Sequence, residues 1–168
     1  MLTPAQLVIL RADIAADPVL AAFPNNADGN FAIAAAYNLP AEPAFTVWRT
    51  SVPESDFTDL TSAEATTWSW TAYIARSQGE RDGWARMFAA TGSVNTARAN
   101  VRQAFLDIFS GAQNNAPAQR AHCAAIAKRA ATRAEKLFAT GTGSLASPAT
   151  MSVEGTLSYQ DIEDARRN

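Results

Sequence analysis

Apolar positions recur at helical spacing over most of this chain and at strand spacing in one short stretch. At the N-terminal end Leu7, Leu10 and Ile14 share one helical face. Ahead of them Thr3-Pro4-Ala5-Gln6 supplies a threonine N-cap, a proline at the first helical position and a glutamine three residues after the cap, a capping box. The spacing predicts a helix over 4–16 with Arg11 and Asp13 outward, ended by Asp17-Pro18. A further helical turn is expected over Val19 to Phe23. The turn cluster Pro24-Asn25-Asn26-Ala27-Asp28-Gly29 then leads into FAIAAAYN, where Asp28 or Asn30 is the expected cap of a helix over 30–38. Pro40 and Pro43 force an extended passage after it.

The stretch 44–51 alternates Phe45, Val47 and Arg49 with Thr46, Trp48 and Thr50, which is strand chemistry. No second stretch of equal quality is present to pair with it, leaving either extended packing over helices or an edge for a neighbouring subunit. Val52-Pro53-Glu54 opens a helical turn through Leu60, and Thr61-Ser62-Ala63-Glu64 is a second capping box leading into ATTWSWTAYIARS. There Trp70, Tyr73, Ile74 and Ser77 share the face expected in the core, with Trp68 off it. Gly79 to Gly83 reads as a helix break before a turn carrying Trp84, Met87 and Phe88. TARANVRQAFLDIFS is a well-patterned helix through Val101, Phe105, Ile108 and Phe109, stopped by Gly111.

The longest helical pattern runs over 116–140, with Cys123, Ile126, Ala127, Ala130, Ala134, Leu137 and Phe138 as its apolar stripe. From Gly141 the chain changes character: Gly, Ser, Thr and Pro dominate, with separated anchors at Leu145, Met151, Val153, Leu157, Tyr159 and Ile162. Such a segment is expected to take an extended path and be ordered on a partner, at an entropy cost, with Ser158 capping a short terminal helix. Folding back on its own domain is the alternative. The expected fold class is therefore mainly α: a small helical bundle over 1–140, an extended C-terminal arm over 141–168, and at most one or two short strands.

Composition narrows the function. At 168 residues one domain is the natural expectation, and 48% apolar with 18% charged residues suits a globular protein. No apolar run approaches the roughly 18 residues of a membrane span, and the N-terminus lacks a signal-peptide pattern, so a soluble protein made in the cytoplasm, with no membrane partner, is expected. A single cysteine, Cys123, excludes an internal disulfide and is expected to be buried. Net charge is −2, but residues 1–64 carry eight acids against Arg11 and Arg49, while 65–168 carry twelve Lys/Arg against eight acids. The split reads either as solvated surface or as identical subunits meeting head to tail in a ring. Arg120, Lys128, Arg129, Arg133 and Lys136 bias the long helix positively and are candidates for contacts with a neighbouring subunit or with DNA in a channel. Any such DNA contact would be salt-dependent and blind to sequence.

Candidates for chemistry are few. His122 is the sole histidine and lies about 100° round the helix from Cys123, poor spacing for shared ligation, so a surface or partly buried histidine is expected. Gly141-Thr142-Gly143-Ser144 follows a helix, the wrong context for a phosphate cradle. Glu54, Asp56 and Asp59 are candidate acid/base carboxylates for a glycosidase, yet acids clustered in a loop are ordinarily solvated. The expectation is no catalytic, metal or cofactor site.

Four strings give a more specific direction: LTPAQL at 2–7, DPVLAAFPNNADGNFAIAAAYN at 17–38, FTVWRTSVP at 45–53 and RAATRAEKLFATGTGSLASPATMSVEGTLSYQDIEDAR at 129–166. In these the chain resembles the head-tail connector, or adaptor, proteins of tailed bacteriophages; the match is weakest over 54–115. The resemblance implies a non-enzymatic virion protein at the head-tail junction, assembled as a ring of twelve copies. Its partners would be the portal protein, a tail or nozzle protein, further copies of itself and, without sequence preference, packaged DNA in the exit channel. The arm, through Leu145, Met151, Val153, Leu157, Tyr159 and Ile162, would dock on the portal. A phage cell-wall glycosidase and a tail-completion or assembly factor are the alternatives.

Overall fold

The computed structural model describes residues 1–58 and 68–167. It is mainly helical, with six short strands among the described residues where one or two were expected. The first elements are α1 (Pro4–Ala16), α2 (Pro18–Ala21), α3 (Ala27–Tyr37), β1 (Thr46–Trp48), β2 (Val52–Pro53) and α4 (Glu54–Thr58). Next come α5 (Trp70–Ile74), α6 (Gln78–Phe88), β3 (Ser93–Val94), α7 (Ala99–Ile108) and α8 (Ala116–Ile126). The chain closes with β4 (Lys128–Ala130), α9 (Arg133–Leu137), β5 (Ala139–Thr140), β6 (Thr150–Met151) and α10 (Tyr159–Arg167).

These elements form two compact units, one from residues 1–47 with the chain from 130 onward, the other from residues 48–129. In unit 1, α1 begins as its capping box requires: the Thr3 hydroxyl accepts from the Gln6 N–H and the Gln6 side chain accepts from the Thr3 N–H. Asp17 ends that helix and caps the next by accepting from Val19 and Leu20. Helix α3 starts earlier than expected because Asn26, not Asp28 or Asn30, is its cap, accepting from the Gly29 N–H at 2.9 Å.

The arm expected over 141–168 is not extended over its described length. Helix α10 packs on α1 and α3, and Leu157, Ile162 and Ala165 join Leu10, Ile14, Leu20, Ile33, Tyr37, Ala134 and Phe138 in one core. The physical reason is that a few well-spaced anchors suffice when the backbone is also satisfied. The Asn38 amide donates to the Leu157 carbonyl at 2.9 Å and accepts from its N–H at 2.8 Å. Arg166 donates to the carbonyls of Phe23 and Pro24 and to the Asn30 side chain. Full burial of a side chain such as Ile162 is worth roughly 1.5–3 kcal/mol. Ser158 caps α10 as expected, exchanging hydrogen bonds with Asp161.

The strand-like stretch around Phe45 finds its partners inside the chain. Ala131 N–H donates to the Phe45 carbonyl, Thr46 N–H to Gly143 and Ala149 N–H to Thr46, all within 2.7–2.9 Å. Gly143 has φ +64° and lies so close to the Phe45 ring that a Cβ would overlap it, which reserves the position for glycine. Strands β5 and β6 pair antiparallel, Ala139 opposite Met151.

Unit 2 is built on an aromatic core: Phe57, Trp68, Trp84, Phe88, Phe105 and Phe109, with Val52, Cys123 and Ile126. Strands β2 and β3 pair antiparallel, Val52 opposite Val94. The expected core face of α5 is only partly so: Tyr73 packs against the core, but Trp70 and Ile74 are 47% and 65% exposed, and Trp68, read as off that face, is buried. The expected break over 79–83 is absent. Ser77 and Glu80 form a capping box, and α6 runs through both glycines to Phe88. The helical turn expected from Val52-Pro53-Glu54 through Leu60 is α4 over Glu54–Thr58; its end, and the capping box read at Thr61 to Glu64, lie outside the described residues.

The expected long helix over 116–140 is two helices with an extended passage between. Helix α8 stops at Ile126, and Thr132 opens α9 through a capping box with Glu135. Alanine-rich local propensity yields because Ala131 donates to the Phe45 carbonyl and accepts from the Ala41 N–H at 2.9 Å. Accordingly Cys123, Ile126 and Ala127 belong to unit 2, Ala134 and Phe138 to the core of unit 1, and Ala130 is exposed.

Candidate functional site

The six residues assigned to a docking arm do not form one surface. Met151, Leu157 and Ile162 are buried and Val153 is half-buried against the core of unit 1. Only Leu145, 70% exposed, and Tyr159, 39% exposed, face outward. Tyr159 stacks on Phe31 of α3 with ring centroids 4.6 Å apart. Beside this pair α10 and the start of α3 enclose a shallow cavity of about 290 Å³, lined by Asn25, Asn26, Asn30, Glu163 and Arg167 among others. Glu163 and Arg167 are ion-paired one helical turn apart. An aromatic stack rimmed by amides and one neutralised ion pair suits a protein contact through shape and hydrogen bonding better than the capture of a charged small molecule.

The five basic candidates are divided between the units. Arg133 donates to Asp13 at 3.1 Å and to Asp17 at 2.9 Å, with its guanidinium 4.7 Å from the centre of the Tyr37 ring. The Tyr37 hydroxyl donates to the same Asp13 carboxylate at 2.5 Å. Asp13, expected outward, is thus held in a network. Burial and then the Asp13 carboxylate push the Tyr37 phenol well above its ordinary range. The Leu20 N–H and the Arg133 guanidinium hold the Asp17 carboxyl below its usual value. Lys136 donates to the carbonyls of Glu42 and Pro43. In unit 2, Arg120 donates to the carbonyls of Phe109 and Gly111. Lys128 and Arg129 are half-buried. With α8, β4 and α9 as separate elements, the single positive helical face read from the sequence does not exist.

The described candidates for chemistry lie in unit 2. The Trp84 indole N–H donates to Glu54 at 2.8 Å, and Asp56 pairs with Arg49 at 2.5 Å. Asp59 lies outside the described residues. His122 is buried rather than near the surface, its Nε2 2.9 Å from the Phe57 carbonyl. Cys123 is buried as expected, and that burial pushes its thiol up to about 12. Among the described residues no group of His, Cys, Asp or Glu is spaced to hold a metal ion, and no helix is long and apolar enough to cross a membrane.

Sequence reasoning missed the buried polar pair beside them. The Gln119 side-chain oxygen accepts from the Ser69 N–H at 2.8 Å, while its amide nitrogen and the Trp68 indole nitrogen have no partner among the described residues. The available signal was Gln119 lying one helical turn before Cys123, on the same apolar face of α8. A scan against protein-family models matched none, and comparisons with curated proteins and with solved structures gave no significant match.

Proposed function

We propose that this chain is a structural protein of the tailed-phage virion, an adaptor that joins the portal to the tail around the DNA exit channel. The observation that supports the reading best is where its resembling strings fall. The strings at 2–7 and 17–38, the start of the one at 45–53 and nearly all of the one at 129–166 belong to unit 1, while the poorly matching stretch 54–115 lies wholly in unit 2. Segments from opposite ends of the chain that carry the resemblance therefore build one compact unit. Contact with the portal, on this reading, uses exposed residues of the folded unit 1, Leu145 and, separately, the Phe31–Tyr159 stack, in place of a free arm.

Two measurements test it. Mass spectrometry of purified virions of the encoding phage should find the protein in copy number equal to the portal subunits. Its absence from mature particles would favour an assembly or tail-completion factor. Purified portal should bind the full-length protein, and Tyr159→Ala with Leu145→Asp should weaken that binding at least about tenfold, a loss of ~1.4 kcal/mol. Undiminished binding by the double variant would remove the assigned surface.

A further inference from the structure

Unit 2 carries a cleft that the proposed portal contact does not use. It has a volume of about 240 Å³, and Trp48, Phe105, Leu106 and Ala124 are among its apolar walls. Phe105 belongs to the core, whereas Leu106 is 48% exposed. Helices α7 and α8 supply most of the lining, and each contributes one arginine, Arg102 and Arg120.

Both guanidiniums are fixed and only partly used. Arg102 lies 4.3 Å over the Trp48 ring and donates through Nη1 alone, to the carbonyls of Thr96 at 2.7 Å and Ala97 at 2.8 Å. Arg120 likewise spends Nη1 on the carbonyls of Phe109 and Gly111. Neither arginine forms an ion pair among the described residues, and both remain half-buried rather than extended into solvent. An apolar slot with two immobilised, uncompensated cations matches a ligand that is apolar at its centre and anionic at its edges. A held guanidinium loses little entropy on pairing and presents a planar fork suited to carboxylate. Arginine and tryptophan at a small pocket are also the residue types that dominate binding energy at protein interfaces.

We infer that this cleft docks an acidic peptide segment carrying one bulky apolar side chain, which enters between Trp48, Leu106 and Ala124 while neighbouring carboxylates meet Arg102 and Arg120. Nucleic acid is the poorer fit, because a phosphate backbone would leave the apolar walls unmatched. The inference stands on unit 2 alone and is independent of the head-tail reading.

The test uses the full-length protein and a fluorescein-labelled peptide in which a phenylalanine is flanked on both sides by aspartate and glutamate, followed by fluorescence anisotropy. Two control peptides replace the phenylalanine by alanine or the acids by lysine. Ala124 is exposed, so Ala124→Phe fills the slot from the surface without touching the core, and Arg120→Gln removes one cation; circular dichroism confirms that each variant is folded. Saturable binding is expected, weakened by added salt and weakened about tenfold or more, ~1.4 kcal/mol, by Ala124→Phe and by the alanine peptide. Absence of saturable binding overturns the inference, as does equal binding of the lysine peptide or an unchanged Ala124→Phe. Displacement of the peptide by a single-stranded oligonucleotide, or light scattering that shows a second copy occupying the slot, also overturns it.

Discussion

Two carboxyls of unit 1, Asp17 and Asp161, are held below their usual range. The Leu20 N–H and Arg133 hold the Asp17 carboxyl below its ordinary 3.8. Burial works to raise Asp161, yet the Ser158 hydroxyl and N–H win and hold it below 3.8 as well. A carboxyl depressed in the folded state favours folding above its unfolded value and loses that contribution as pH falls through the folded one. Helicity followed by circular dichroism should therefore hold down to the ordinary carboxyl range and fall below it, and Asp161→Asn should blunt the fall. Cys123 makes a second prediction: buried, with a thiol pushed up to about 12, it should resist a thiol reagent at neutral pH until denaturant opens the protein. Rapid reaction of the native protein would contradict its placement. Residue roles set by near neighbours were legible in the sequence, as in the Thr3–Gln6 box and the burial of Cys123. The Tyr37–Asp13–Arg133 network was not, because its members lie 24 and 120 residues apart and each alone looks like an ordinary surface or core side chain.

At the scale of elements, the N-terminal helix and α7 follow their sequence periodicity closely, while α6 and the α8–α9 region depart from it for opposite reasons. In α6 a strong start, Ser77 with Glu80, and the buried pair Trp84 and Phe88 carry the helix across two glycines that local propensity would count as breakers. A Cβ built at Gly83 meets nothing within 4 Å. Gly83→Ala should thus stabilise the protein by about 0.5–1 kcal/mol, read as a raised urea midpoint with unchanged slope. Between α8 and α9, by contrast, an uninterrupted helical pattern is overruled by backbone pairing of Ala131 with Ala41 and Phe45, some ninety residues upstream in sequence. Threonine at 132 followed by glutamate at 135 was the local sign of a new helix start, masked by the alanines around it.

For the whole molecule the consequential departure is the C-terminal segment. Its poverty in large apolar residues is real, but Leu157, Ile162 and Ala165 are spaced to enter the core together, and Ile162 is wholly buried. Ile162→Ala should cost about 2–5 kcal/mol, visible as a lowered thermal midpoint and faster proteolysis of unit 1. A midpoint unchanged from the parent protein would mean that α10 is not part of the core. Removing the chain after Gly141 would therefore delete Leu157, Ile162 and Ala165 from the core of unit 1.

Unit 1 is assembled from the first 47 residues and the chain beyond 129, whereas unit 2 is continuous. On the ribosome the continuous body can close while translation is under way. The discontinuous one must keep α1 and α3 waiting, with Leu10, Ile14 and Ile33 uncovered, until α10 leaves the exit tunnel. The nascent chain is therefore exposed to aggregation and to chaperone capture over these uncovered residues until then, and arrest at successive lengths should show protease protection over residues 48–129 before it appears over residues 1–47.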